Sequence, residues 1–578
     1  MAQKNKFKGL LKCITVFVCV FCCGIIGLPQ GDSNFDKNKF DDEIFPADKI
    51  HEIKITINES DWNSLRMERH NLFAALGEGR ITNPEPEPYK VYRADVEING
   101  KKYSPVGIKK RGFLGSSSFT RPSLGIRFDE FDKNLNFYGL KRISLNNNIQ
   151  DLSLIRQFLT YKVFNKAGLP APKCNFAKVY INGKYLGIYT HVEAVTGSFL
   201  KRNFGNDSGN LYEGQLSDFR PEWYLTFEKK NNKASNNRDD LKKVVEALEV
   251  DDSILIDRLN ECIDLEQYIS FWAMEVLTGF WDCYSNNGNN FFVYNDPVRK
   301  KFVFIPWGAD ATFGENDPFS PPNKPLTVMT TSILPWRLYR IEKTREEFRA
   351  QLRRLLETVW SEKQLLSEVE RLEELLKPHL RDEDKNFYAS IGRVRDFIKS
   401  RKEMLMKELN APAPVWKQGL RKRPYLEKAG AIRAEFSTIW RGINYSEPGF
   451  RPYARLRMVI DGERQYFVNI AANVEPARDP RFSNSVSIYF VGLDLFRAKW
   501  MLPLFLITPE LITTNQPIIL DGTGAAGILL EGKILSFNIK TPYVISGTIT
   551  FESAEMRDNG KIKGKIEGDI YQFFKTDD

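Results

Sequence analysis

The sequence predicts an α+β fold followed by a separate all-β region, a sandwich or barrel. Three observations predict it. Apolar residues alternate with period two in the first third, helical periodicity takes over in the middle, and alternation returns after the proline-rich break Ala411-Pro-Ala-Pro-Val415. The expected boundaries are 1–31 for a leader, 45–410 for the mixed part, 411–428 for a linker and 429–578 for the β-rich part. At 578 residues the chain can bury more than one core.

The elements follow in order. Lys4, Lys6, Lys8 and Lys12 precede an apolar run over 13–28, then Gln-Gly-Asp-Ser. A basic start before a short apolar run reads as a signal peptide or membrane anchor, which predicts a secreted or envelope-associated protein. Phe21 and Cys22 are too bulky before Cys22 or Cys23 to suit a lipidation site. Residues 32–45 are acidic and read as a linker. His51-Glu-Ile-Lys-Ile-Thr-Ile57 and Ala94-Asp-Val-Glu-Ile98 alternate as strands, the second running into the turn Asn99-Gly100. Asn58 to Leu65 reads as a short helix, and Pro84 to Pro88 as a loop. A Gly/Ser-rich loop, Gly112-Phe-Leu-Gly-Ser-Ser-Ser118, leads to the alternating strand Ser123-Leu-Gly-Ile-Arg-Phe128. An amphipathic helix is expected over 151–165, and a hairpin about Asn182-Gly183.

Residues 241–259 read as helical. Asp264 opens the next, with Ile269, Trp272, Val276 and Leu277 on one face. Residues 334–410 read as helices with charged outer faces, and Ser361-Glu-Lys-Gln364 forms a capping box. Beyond 429 the alternating runs at 547–552 and 561–570 meet near Asn559-Gly560 and predict antiparallel strands.

Composition narrows the function. Eighty-three basic residues against 74 acidic ones give a net charge of +9, small for this length and scattered, with no nucleic-acid signature. Membrane contact is expected only through the N-terminal segment. Outside the leader, Cys174, Cys262 and Cys283 lack metal-ligand spacing and read as buried thiols. The four histidines (51, 70, 191, 379) are scattered, which argues against histidine-based hydrolysis or a zinc site.

The stretch richest in chemistry is Phe280-Trp-Asp-Cys-Tyr-Ser-Asn-Asn-Gly-Asn-Asn-Phe-Phe-Val-Tyr294, with Phe302-Val-Phe-Ile-Pro-Trp-Gly-Ala-Asp-Ala-Thr-Phe-Gly314 after it. An Asp, a cluster of Asn and a second Asp are separated by two apolar strands. Phosphoryl transfer needs one carboxylate near the attacking hydroxyl, and an Asn and a second Asp for a metal ion on the phosphates. A hairpin can bring Asp282, Asn290 and Asp310 to one end.

These pieces together resemble the spore coat protein H (CotH) kinase-like family. The matching residues are Val106-Gly-Ile-Lys-Lys-Arg-Gly112 with its serines, Ser123–Phe128, Asp151 with Arg156, the hairpin Val179–Tyr189 with Glu193, Trp281-Asp282, Asn290 and Ile305–Gly314. The resemblance covers about 45–410 and implies a divergent protein-kinase-like two-lobed domain. It implies transfer of the γ-phosphate of ATP, with Mg2+ or Mn2+, to Ser/Thr-rich segments of protein substrates. By carry-over Asp282 is the catalytic carboxylate. Asn290 is a metal ligand by alignment, while a spacing of five from Asp282 favours Asn287, with Asn286 and Asn289 as rivals. Where the family usually has Pro-Trp-Asp, this chain has Gly308, so Asp310 is expected to substitute as metal ligand. On the strand after the serine loop Gly125 and Arg127 stand where lysines are usual. Arg127, then Lys110 and Arg121 with Ser116 and Ser117, are the expected phosphate contacts. Glu193 reads as a structural ion-pair residue. The alternative is a catalytically degenerate envelope protein whose kinase-like fold and β-region recognise partners, including a surface polymer.

Overall fold

The computed structural model describes residues 40–573, apart from 78–79, 81–86, 114–115, 236, 315–316, 318–322, 416–418, 422–425, 443–453, 478–484, 523 and 535–542. The leader expected at 1–31, most of the loop at 84–88 and much of that at 315–325 lie outside the described residues. Among those described, no helix is long and apolar enough to cross a membrane.

Seven strands close into a barrel: β1 (His51–Ile57), β2 (Val91–Ile98), β3 (Lys101–Arg111), β4 (Ser123–Arg127), β5 (Arg142–Asn146), β6 (Cys174–Ile181) and β7 (Lys184–Glu193). The order is β1-β2-β3-β4-β5-β7-β6, closed by the parallel pairing of β1 with β6. Period-two alternation explains it. Ile53, Ile55, Val96, Ile108, Ile126, Leu145 and Val179 point inward and are at most 2% exposed. Asn182 and Gly183 take φ of 49° and 83°, the left-handed pair that a two-residue hairpin turn requires.

Three expectations change here. The acidic 32–45 segment is not all linker, because Ile44 and Phe45 are buried in the barrel core. The expected helix over 151–165 starts only at Arg156, because the Asp151 carboxylate turns back to accept from Ser153 N and Arg156 N. Two of the scattered histidines meet: His51 and His191 lie 5.5 Å apart inside the barrel, where burial lowers the pKa of both and keeps them neutral.

A four-stranded sheet comes next, ordered β11-β10-β8-β9, from β8 (Leu211–Gly214), β9 (Glu228–Lys229), β10 (Phe291–Asp296) and β11 (Lys301–Pro306). It packs on the helix Leu265–Thr278, whose Asp264 side chain caps Gln267 N at 3.2 Å. That helix is buried nearly all round, with Trp272 stacked on Phe348 at 3.9 Å. The stretch expected to be helical over 241–259 is two helices, Asp239–Leu248 and Asp252–Asn260. Four further helices, Ile333–Arg340, Glu342–Thr358, Glu362–Leu376 and Phe387–Asn410, complete the helical region. Cys174, Cys262 and Cys283 are free thiols.

From Leu426, three residues earlier than expected, the chain forms an antiparallel sheet of ten strands: β12 (Leu426–Ile439), β13 (Arg455–Ile460), β14 (Glu463–Gln465), β15 (Val468–Pro476), β16 (Val486–Asp494), β17 (Lys499–Ile507), β18 (Pro517–Leu520), β19 (Ala525–Lys533), β20 (Tyr543–Ala554) and β21 (Lys561–Phe573). Its inward residues, among them Phe436, Phe490, Phe505, Ile549 and Ile566, form a core of their own. It also touches the barrel side of the molecule: Arg69 pairs with Asp521, and the Phe73 and Tyr571 rings lie 4.9 Å apart.

Candidate active site

The site lies where the helix Leu265–Thr278 hands the chain to β10. The register pairs Phe291 with Pro306, so Asn290 and Trp307 leave the β10–β11 hairpin at the same end, and Trp307 N–H donates to Asn290 O at 3.0 Å. Asn290 itself has φ of 53°, a left-handed conformation that Asn tolerates better than most residues. A single helical turn, Tyr284–Asn287, sits over this end.

Three amides hold Asp282. Its Oδ1 accepts from Asn287 Nδ2 and, at 3.2 Å, from Asn289 Nδ2. Its Oδ2 accepts from Asn289 Nδ2 at 3.2 Å and Asn290 Nδ2 at 2.8 Å. Residue 282 as a whole is half-buried. Burial nevertheless raises its pKa from the ordinary carboxylate value, against the three amides and the Arg421 guanidinium.

Asp310 is buried beside it. Burial, then repulsion from Asp151 and Asp282, pushes its pKa up to about 7, although Asn146 Nδ2 donates to Oδ2 at 3.4 Å. Asp151 is fully buried and pairs with Arg156 at 3.3 Å. Acidic groups thus converge from the barrel side, from the turn after the helix and from the end of β11. Such a cluster gains energy from a bound cation.

The donor set fits Mg2+. Among the described residues no three His, Cys, Asp or Glu side chains are close enough to hold an ion by themselves. Amide oxygens and substrate phosphates therefore have to complete the shell, as is usual for this metal. The two Asn candidates differ in what they offer. Asn287 Oδ1 is buried without a hydrogen-bond partner, an orphaned hard acceptor next to Asp282. Asn290 Oδ1 faces Gly308 instead. A Cβ at 308, where φ is 49°, would fall 2.5 Å from that oxygen. An Asp at 308 cannot enter without displacing the Asn290 amide that grips Asp282.

The expected phosphate contacts do not all come together. Along β3, Val106, Ile108 and Lys110 point inward, while Lys109 and Arg111 point outward. Lys110 is therefore fully buried and donates to the carbonyls of Arg66, at 2.7 Å, and Glu68. Arg121 donates to Ile188 O and lies 3.7 Å from Asp384. Arg127 pairs with Glu130 at 3.2 Å, on the outward face shared with Lys109 and Arg111. Ser116 offers its carbonyl to Asn147 Nδ2 at 3.0 Å, and the Ser117 hydroxyl is buried with no partner. Glu193 is fully buried against Arg202, as the sequence suggested.

Sequence reasoning passed over Arg111 and the run Asn146-Asn147-Asn148. Arg111 lies 5.9 Å over the Trp307 ring, beside the site, and forms no ion pair among the described residues. The strand's inside–outside parity was the signal that distinguishes it from Lys110. Asn146 reaches Asp310, Asn147 ties down Ser116 O and Arg121 O, and Asn148 donates to Ile188 O at 3.3 Å.

Inner spore coat protein H of Bacillus subtilis (strain 168) is 27% identical over 191 residues, 31% of this chain and 52% of that protein. Invasin CotH7 of Rhizopus delemar is 24% identical over 178 residues, 29% of this chain and 30% of that protein. The match thus spans about half of the bacterial relative and less than a third of the fungal one. A solved structure, the Helicobacter pylori proinflammatory kinase CtkA, is similar at 11% identity and a TM-score of 0.26, over 55% of this chain and 89% of that one, too loosely to bear on function. Residues 108–405, which include Asp282, Asn287, Asn290 and Asp310, match the CotH kinase protein family. That stretch is just over half of the chain, and the chain belongs to the CotH kinase protein family.

Proposed function

We propose that this protein is an ATP-dependent protein kinase that phosphorylates Ser or Thr in proteins, with residues 45–410 forming its two-lobed kinase-like domain. The observation that carries the reading is the Asp282 carboxylate, held by three Asn amides at the mouth of an acidic cluster whose Asn287 oxygen has no partner. In this role Asp282 accepts the proton of the attacking hydroxyl. Asn289 and Asn290 keep its oxygens aimed, and Arg111 and Arg127 meet the phosphates from the barrel side. Asp310 and Asn287 would hold Mg2+, which when bound neutralises charge on the phosphate oxygens. Names of the relatives, a spore coat protein and an invasin, support a location in the envelope or outside the cell, and the basic-then-apolar N-terminus agrees. The ten-stranded sheet is read as an accessory domain that binds an envelope protein or polymer.

Gly308 favours a second reading, a degenerate kinase fold used for binding alone. The two separate in one experiment on the full chain. For the enzyme, ATP with Mg2+ at a hundredfold excess over Kd should add about 2.7 kcal/mol of stability. Labelled γ-phosphate should also pass to a Ser/Thr-rich peptide only when Mg2+ or Mn2+ is present. Neither effect would appear in a purely binding protein.

Asp310→Asn sharpens the test. Removing a charge that repels Asp151 and Asp282 should leave the thermal midpoint unchanged or higher. Phosphate transfer should fall about 100-fold or more, with metal dependence shifted to higher concentration. Full activity in Asp310→Asn would exclude it as a metal ligand.

A further inference from the structure

The last long helix ends at Asn410 and β12 begins at Leu426, and Arg421 is a described residue of the segment between them. Arg421 N–H donates to Thr331 O at 2.8 Å. Thr331 N–H donates to Ser285 O at 3.1 Å, its hydroxyl donates to Asn286 O, and the Ser332 hydroxyl donates to Tyr284 O. Residue 421 is therefore fastened, through 331–332, to the turn that follows Asp282. From the same turn, Asn286 Nδ2 donates to Asp317 Oδ2 at 2.9 Å. The half-buried Arg421 guanidinium lies within electrostatic range of both Asp282 and Asp317. Arg421 falls outside residues 108–405, in the segment that joins the helical region to the ten-stranded sheet.

We propose that Arg421 is a further catalytic residue, a cation lent by the connecting segment that contacts the oxygens of the phosphoryl group as it transfers beside Asp282. The proposal rests on the phosphoryl-transfer reading. In that step the acceptor oxygen bonds to the γ-phosphorus and its proton passes to Asp282. The bond from the γ-phosphorus to the β,γ-bridging oxygen breaks, and the electron pair leaves with the nucleoside diphosphate. Negative charge spreads over three peripheral oxygens. A planar guanidinium suits two of them at once and stays charged even when partly buried. The connecting segment positions this group because its backbone is bonded to the strap under the catalytic turn, so the charge needs no loop closure to arrive.

The test uses the full chain as wild type, Arg421→Gln and Arg421→Lys. Transfer by Arg421→Gln should fall about 100-fold or more, with KM for ATP changed little, because the contact is made to the transferring group. Arg421→Lys should recover part of the rate. A second readout is binding of Mg·ADP with and without aluminium fluoride. Wild type should bind more tightly with the fluoride, and Arg421→Gln should lose that gain while keeping its affinity for Mg·ADP. A rate unchanged in Arg421→Gln overturns the proposal and leaves the kinase reading standing. A faster Arg421→Gln also overturns it, showing that the guanidinium blocks the site. If wild type neither transfers phosphate nor binds nucleotide, the kinase reading falls and this proposal with it. Should Arg421→Gln misfold, the Lys variant decides, since a rate equal to wild type with no change in fluoride response overturns the assignment.

Discussion

Asp282→Asn should reduce phosphate transfer about 1,000-fold, the usual loss when a positioned general base is removed. The substituted amide is nearly isosteric, but it cannot take a proton. It also turns a donor toward the amides of Asn287, Asn289 and Asn290, which now converge on carboxylate oxygens. That local conflict costs about 1–3 kcal/mol at most and leaves the fold intact. Affinity for Mg·ATP, measured separately by titration, should change little, because the substrate hydroxyl is what Asp282 touches in this reading. A variant keeping more than a tenth of the wild-type rate would rule out Asp282 as the base and send attention to Asp310.

The second large effect concerns Glu275. This carboxyl is fully buried on the helix Leu265–Thr278, against the turn Tyr284–Asn287, and accepts from Tyr284 N–H at 3.1 Å. Its other oxygen has no partner. Burial pushes its pKa from the ordinary 4.5 up to about 8, only partly offset by the polar groups of Ser285, Cys283 and Tyr284 around it. The folded state therefore binds this proton more strongly than the unfolded one. Stability contributed by the protonated group is complete below pH 4.5 and is lost as pH rises to about 8. The ceiling of the loss is roughly 5 kcal/mol, at 1.4 kcal/mol for each decade. Glu275→Gln keeps the shape and cannot ionise. Denaturant titrations should find it close to wild type at pH 5 and more stable than wild type at pH 9. Parallel curves for the two proteins across that range would show that Glu275 is not held protonated.

Much of this molecule follows from local rules. The inward isoleucines of β1, the Asn182-Gly183 turn, the caps at Asp264 and Ser361 and the alternation in β20 and β21 are all visible as periods or turn residues. Asp282, the Asn cluster and Asp310 were legible for the same reason: they lie within one short hairpin and its flanks, so spacing in the chain is nearly spacing in space. The choice between Asn287 and Asn290 was not legible. It depends on where each amide oxygen points, and only the packing of Asn290 against Gly308 decides that.

Long-range placement escaped the sequence entirely. The barrel closes through a parallel β1–β6 pairing between segments more than a hundred residues apart, for which no local pattern exists. Lys110 and Arg111 are neighbours of like charge, yet one ends under Phe119 and the other over Trp307, because the pleated strand sends alternate residues to opposite sides of the barrel wall. Arg421 reads as an ordinary linker residue until its backbone is seen bonded to Thr331. Composition, periods and motif spacing therefore settled the succession of elements and the kind of chemistry available, since both arise from neighbours along the chain. Tertiary structure decided which groups act on one another: Asp151 repels Asp310, Arg111 lies over the Trp307 ring, and the Asp282 charge is felt at Arg421. Coulomb energy depends on distance through the fold, and the order of residues along the chain does not set that distance.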